Sequence, residues 1–252
     1  MSMENMFELG ADMRKRTLDI DGLVNARDLG GLRRTNGMLT PYGVFYRSES
    51  VDLILPSGWE QLRESGIRTI VDLRQQDERD HDEQERPSWL NIIHSDLDGI
   101  ENEEFWKPYL NEGLESTSIY YLDHLQTMPE RAGDALQALA TAPEGGVLFH
   151  CKSGRDRTGL IALLLLSAVD VMPEEIVDDY LETVRLGAVR GARLDKENPE
   201  PGLEQLLQRH GTSTENSFRN AVEKLEYSEF LEQAGLSDLA INSLKTWRGS
   251  IK

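Results

Sequence analysis

Residues 150–159 read HCKSGRDRTG and hold the single cysteine of a 252-residue chain. Apolar runs flank the stretch, GVLFH (146–150) before it and LIALLLLSAV (160–169) after it. A strand, a tight glycine-containing loop and then a helix aim backbone N–H groups at an anion. The helix N-terminus adds unpaired donors and roughly half a positive charge. Cys151 stands at the mouth of that site, where positive charge and donated hydrogen bonds favour thiolate over thiol. Arg157 can fold back to hold two oxygens of a tetrahedral anion with its planar fork. The Thr158 hydroxyl comes within reach of the sulfur, and His150 can fix the loop by hydrogen bonding. Such a set suits phosphoryl transfer: thiolate attacks phosphorus in line, a cysteinyl-phosphate forms, and water hydrolyses it. No metal or other cofactor is called for, since loop and arginine supply the positive field.

The elements that must position these residues alternate between strand and helix signals. GVFYRSES (43–50), IRTIVDLR (67–74), NIIHSDLDG (91–99) and GGVLFH (145–150) read as short strands. LPSGWEQLRESG (55–66) reads as a helix with Ser57 as N-cap, and the spacing over 114–140 predicts two helices split near Pro129. Short apolar strands alternating with helices favour an α/β fold with a mostly parallel central sheet covered on both faces. Beyond residue 173 the strand signals fade. PEEIVDDYLETVRLG begins with a proline and two acids, a good helix start, and further amphipathic stretches follow a polar break at 195–202. The expectation is one domain over 20–250, with 1–19 as an N-terminal extension and 186–250 as a helical C-terminal region of the same domain.

Composition narrows the classes. With 38 % apolar and 29 % charged residues the chain reads as an ordinary globular protein. Its longest apolar run is shorter than the roughly 20 residues of a membrane span, and its first residues lack the plan of a signal peptide. One cysteine forms no internal disulfide, which suits a reducing cytoplasm. A net charge of −18 argues against a nucleic-acid surface. A bound anion must therefore be held by a local cradle against the overall field.

The stretch Cys151-x5-Arg157-Thr158, with His150 before it, resembles the signature of cysteine-dependent protein tyrosine phosphatases. NARDLGGLRRTNG (25–37), VFYRSES (44–50), GIRTIVDLR (66–74) and VDDYLET (177–183) are similar to the bacterial tyrosine and lipid phosphatases of the Tyr-phosphatase-3 family. The resemblance implies a protein-tyrosine-phosphatase-like fold, Cys151 as nucleophile and Arg157 as phosphate clamp. Lys152, Ser153, Gly154, Arg155 and Thr158 would bind substrate. Phosphoinositide phosphatases carry bases at the positions of Lys152 and Arg155, where they meet further phosphates. The family usually has lysine in place of Arg155 and alanine in place of Ser153, which bears on substrate preference.

For the general acid, Asp96 and Asp156 stand level. Asp96 follows a strand at the sheet's carboxyl edge, where loops build sites, and the family has an aspartate at both places. Asp98 ranks behind them, and Asp123 falls in a helical, surface-facing pattern. Asp72, Arg74, Arg27 and Asp28 read as charged residues that pair and buttress loops. The acidic run 98–104 reads as a solvated loop, with a lid over the site as the other reading. The implied activity is phosphotyrosine hydrolysis, with dual or triple specificity and phosphoinositides as further substrates. The alternatives are a phosphoinositide or inositol phosphate phosphatase with little protein activity, and a non-catalytic phosphate-binding module. Oligomeric state is not legible.

Overall fold

GVLFH has no polar side chain before its last residue, and as strand β5 (Gly146–His150) it is buried along its whole length. In the computed structural model, which describes residues 16–80 and 84–251, it lies at the centre of the sheet. Most of the N-terminal extension expected before residue 20 thus lies outside the described residues. Strand β1 is Arg27–Asp28, β2 Phe45–Ser48, β3 Ile67–Asp72 and β4 Asn91–His94. Among the described residues they form one five-stranded sheet in the order β1-β2-β5-β3-β4. Only β1 runs antiparallel to its neighbour; β2, β5, β3 and β4 are mutually parallel. The register aligns Ser48, His150, Asp72 and His94 at the strand ends. Every parallel strand therefore delivers its following loop to the same carboxyl edge.

Side chains alternate across the pleat. Phe45, Val71, Val147 and Phe149 face one layer, where the helix Asp156–Ser167 packs. That helix is buried from Thr158 through Leu166, as an apolar run on every side demands. Tyr46, Ile70 and Leu148 face a second, smaller layer with Trp59 and Leu62 of the helix Pro56–Glu64. Chain beyond 173 is helical, as expected. Its Phe218 stacks on Tyr180 at 3.9 Å. Trp247, fully buried, meets the ring of Phe45 edge-on and donates its indole N–H to the Pro41 carbonyl.

Two local expectations change, and a third segment gains a form. The cap of the helix Pro56–Glu64 is Leu55; Ser57 sits inside the first turn, where its hydroxyl meets the Asp21 carboxylate at 2.6 Å. The acidic run 98–104 is not a free loop, because Asn102 caps a helix, Glu103–Glu112, that continues through Pro108. The charged stretch after β3 contains a single turn, Gln76–Arg79, closed by a reciprocal capping box between Gln75 and Glu78.

Candidate active site

The loop after β5 is shaped from its backbone outward. Four successive carbonyls are tied away from its concave side: Cys151 to the His150 ring (3.0 Å), Lys152 to the Ser50 amide (3.2 Å), Ser153 to the Asn25 side chain (3.4 Å) and Gly154 to Arg47 (2.8 Å). In a trans peptide the next residue's N–H points opposite to the carbonyl, so this pattern turns the amides of 152–154 inward, while the Arg155 amide meets the Ser153 hydroxyl at 3.3 Å. Gly154 has φ +71, and a Cβ there would lie 2.5 Å from the Ser48 carbonyl oxygen. Only glycine fits that close approach. His150 is fully buried, and burial lowers its pKa, so the neutral ring gives its Nδ1 proton to the Cys151 carbonyl. The Thr158 hydroxyl donates to the Cys151 sulfur across 3.2 Å.

Behind the loop, three guanidiniums converge on one carboxylate. Asp179 accepts from Arg16, from Arg27 at 2.9 Å and from Arg47 at 2.6 Å, all within the interior. Arg47 turns its other nitrogen to the Gly154 carbonyl, so this cluster reaches the loop itself. On the far side Arg74 holds Asp72 at 2.8 Å and Asp52 at 2.5 Å, and Asp28 accepts the amides of Gly30 and Gly43.

A cavity of about 320 Å³ opens over the loop. Of the residues expected to act there, Cys151, Lys152, Ser153, Asp156 and Arg157 line it. Gly154 and Thr158 serve from behind the wall, as described. Arg155 differs from the expectation of a phosphate-facing base. It is 2 % exposed and its charge is taken up by Asp156 (2.7 Å), Glu200 (3.1 Å) and the Ser116 carbonyl (2.6 Å). Asp96 also lies elsewhere. Its carboxylate accepts the Asp98 amide at 3.0 Å and faces Arg131 at 3.7 Å, outside the cavity lining. Asp123 takes the Tyr109 hydroxyl on the surface.

The residue that this turn throws inward is Asp98, whose Oδ2 lies 3.1 Å from Arg157 and 2.8 Å from the Gln75 amide. Burial pushes its carboxyl up, against the pull of Arg157. Its backbone carbonyl accepts the Trp106 indole N–H at 2.8 Å, so the helix Glu103–Glu112 anchors it and supplies an apolar wall with Ile100 and Leu110. Glu78, in the short turn after β3 and not among the expected site residues, clasps both terminal nitrogens of Arg157. Burial opposes its ionisation, and the Arg157 guanidinium overrides that, holding Glu78 below the usual carboxylate range. The reciprocal Gln75/Glu78 capping box holds it in place, and a glutamine at the cap gives no capping signature in the sequence.

Fold and site together define the cysteine-loop class of α/β proteins. The chain belongs to the tyrosine phosphatase family, whose model it matches over residues 18–247. It is 32 % identical over 175 residues to a Cupriavidus necator protein that carries a tyrosine-protein phosphatase name, covering 67 % of this chain and 63 % of that one. A tyrosine-protein phosphatase of Nostoc commune is 30 % identical over 144 residues, 56 % of this chain and 48 % of its own. A triple specificity protein phosphatase of Mycobacterium tuberculosis is 30 % identical over 192 residues, 66 % of this chain and 68 % of its own. The chain spans less than two thirds of the length of the first two relatives. Among the described residues no helix is long and apolar enough to cross a membrane.

Proposed function

We propose that the chain hydrolyses phosphotyrosine through a cysteinyl-phosphate. The observation that carries this reading is the junction of Cys151, Arg157 and inward-turned amides at the floor of one cavity with an apolar wall. Phosphate oxygens take the loop amides and the Nε edge of Arg157, whose other edge Glu78 holds in place. The Cys151 sulfur attacks phosphorus, the S–P bond forms, and the P–O bond to the tyrosine breaks with its electron pair on oxygen. Asp98 gives that oxygen its proton. Water then attacks phosphorus and gives a proton to Asp98, and the S–P bond breaks back to thiolate. Asp98 is preferred to Asp96, which faces Arg131, and to Asp156, which is paired with Arg155.

The depth of the cavity and its walls of Trp106, Tyr120 and Ile100 suit a phosphorylated ring on a long stem. A polyphosphorylated inositide needs further bases, and of the two expected only Lys152 faces the cavity. We take 20–250 as one phosphatase domain, since Trp247 closes against Phe45 of β2. A lone cysteine spent on nucleophilic chemistry fits the reducing cytoplasm. The test is phosphate release from phosphotyrosine, phosphoserine and phosphothreonine peptides and from mono- and polyphosphorylated inositides, with wild type and Cys151→Ser. Dominant phosphotyrosine turnover lost in the variant is expected. Turnover that survives Cys151→Ser refutes the mechanism.

A further inference from the structure

The acids around the cavity divide into three already matched and one that is not. Glu78 and Asp98 both face Arg157, and Asp156 faces Arg155. Glu115 also lines the cavity, half-buried, and among the described residues no donor meets its carboxylate. A half-buried carboxylate on a cavity wall is free to take a donor that enters with the substrate. The segment does not swing away to find one, because the Ser116 carbonyl is fastened to Arg155 at 2.6 Å and the Thr117 hydroxyl to the Leu114 carbonyl at 2.7 Å. Glu115 is thus held beside the substrate's path, with Leu110, half exposed, on the same rim.

We infer that Glu115 is a specificity-determining residue that receives a cationic side chain next to the phosphorylated tyrosine, so that the substrate is phosphotyrosine in a basic segment of protein. This deepens, and rests on, the phosphatase reading of the site. A guanidinium or ammonium fills the missing donor role with a charge-assisted hydrogen bond, and its methylenes lie along Leu110. The whole-molecule field points the same way, since a net charge of −18 draws basic peptides in and repels acidic ones. A second phosphate would meet the Glu115 carboxylate, and the base that would have answered it, Arg155, is committed to Glu200 and Asp156.

The test is steady-state kinetics on three phosphotyrosine peptides that differ only at the flanking positions: arginine, alanine or glutamate. Wild type, Glu115→Gln and Glu115→Lys are compared, with p-nitrophenyl phosphate as a probe without flanks. The readout is the arginine-to-alanine ratio of kcat/KM within each enzyme, so a general loss of activity cancels. Wild type is expected to favour arginine about tenfold. Glu115→Gln should bring the ratio within about twofold, and Glu115→Lys should favour the glutamate peptide. A ratio unchanged between wild type and Glu115→Gln overturns the inference, as does a diphosphorylated inositide turned over faster than the arginine peptide. Failure of wild type to hydrolyse p-nitrophenyl phosphate refutes the phosphatase reading itself and takes the inference with it. The two failures are therefore distinct.

Discussion

Replacing Asp179 with asparagine keeps the side chain's shape and removes the negative charge that Arg16, Arg27 and Arg47 share. All four groups are at most 2 % exposed, so solvent screens little of what is left behind. Removing one partner of a buried ion pair costs about 3–5 kcal/mol. Here three guanidiniums lose a shared carboxylate at once, so the upper part of that range applies, about 4–5 kcal/mol. At roughly 2–4 °C per kcal/mol for a chain of this size, Asp179→Asn should lower Tm by about 8–20 °C at pH 7. Urea unfolding gives the free-energy difference directly, through the midpoint at unchanged slope. The pH dependence supplies a second check. Burial opposes ionisation of Asp179, but the three arginines override it and hold its pKa well below the usual value. A carboxylate depressed in the folded state stabilises above its unfolded pKa, and that contribution is lost as pH falls through the folded value. The difference between wild type and variant should therefore be full at neutral pH and shrink in strong acid. A loss under about 1 kcal/mol at pH 7, or a difference that stays constant into acid, refutes the electrostatic account of the cluster.

Gly154→Ala should cost about 1–3 kcal/mol of stability and most of the phosphotyrosine turnover, because φ +71 and the Ser48 carbonyl at 2.5 Å leave a Cβ no room. Unfolding curves and kcat/KM read both, and a fully active, stable variant would show that the loop tolerates a different path. Asp98→Asn should reduce kcat about 10²–10⁴-fold. Burial raises the Asp98 carboxyl, so in wild type it stays protonated beyond the ordinary range and the rate falls as pH climbs past its pKa. A pH–rate profile should lose that falling limb in Asp98→Asn; if Asp156→Asn removes it instead, Asp156 is the acid. Arg157→Lys should cost about 10²–10³-fold, since an ammonium reproduces neither the Glu78 clasp nor the bidentate hold on phosphate.

The parallel α/β sheet and the strand–loop–helix unit were legible because both are written in contiguous residues. GVLFH and LIALLLLSAV admit little but a central strand and a buried helix, and the chemistry of a thiolate on phosphorus fixes residue types and spacing between them. What sequence did not resolve depends on direction. Asp96 and Asp98 leave the same strand two residues apart, and β4 ends at His94, so strand periodicity no longer sets which one faces in. The Asp96 carboxylate caps the Asp98 amide, and that turn decides it. Arg155 read as substrate-facing because one of its partners, Glu200, lies 45 positions further along the chain. Glu78 was hidden in a charged stretch whose short turn is held by its contacts, including the Arg157 pair itself.

The place of β5 in the sheet has a consequence for how the protein comes into being. It is the last strand in the sequence and the central one in space, wedged between β2 and β3. A nascent chain that has left the ribosome only as far as residue 145 holds β2 and β3 with the hydrogen-bonding edges that β5 will take still bare. Such pairing across some hundred residues is slow and leaves sticky edges waiting. The residue that completes the sheet is followed at once by Cys151. Synthesis thus ties the building of the Cys151 loop to the closure of the core, and a half-made chain lacks the strand that holds that loop. Until that interval ends, the central slot of the sheet is open, and the loop proposed to hold phosphate has no frame.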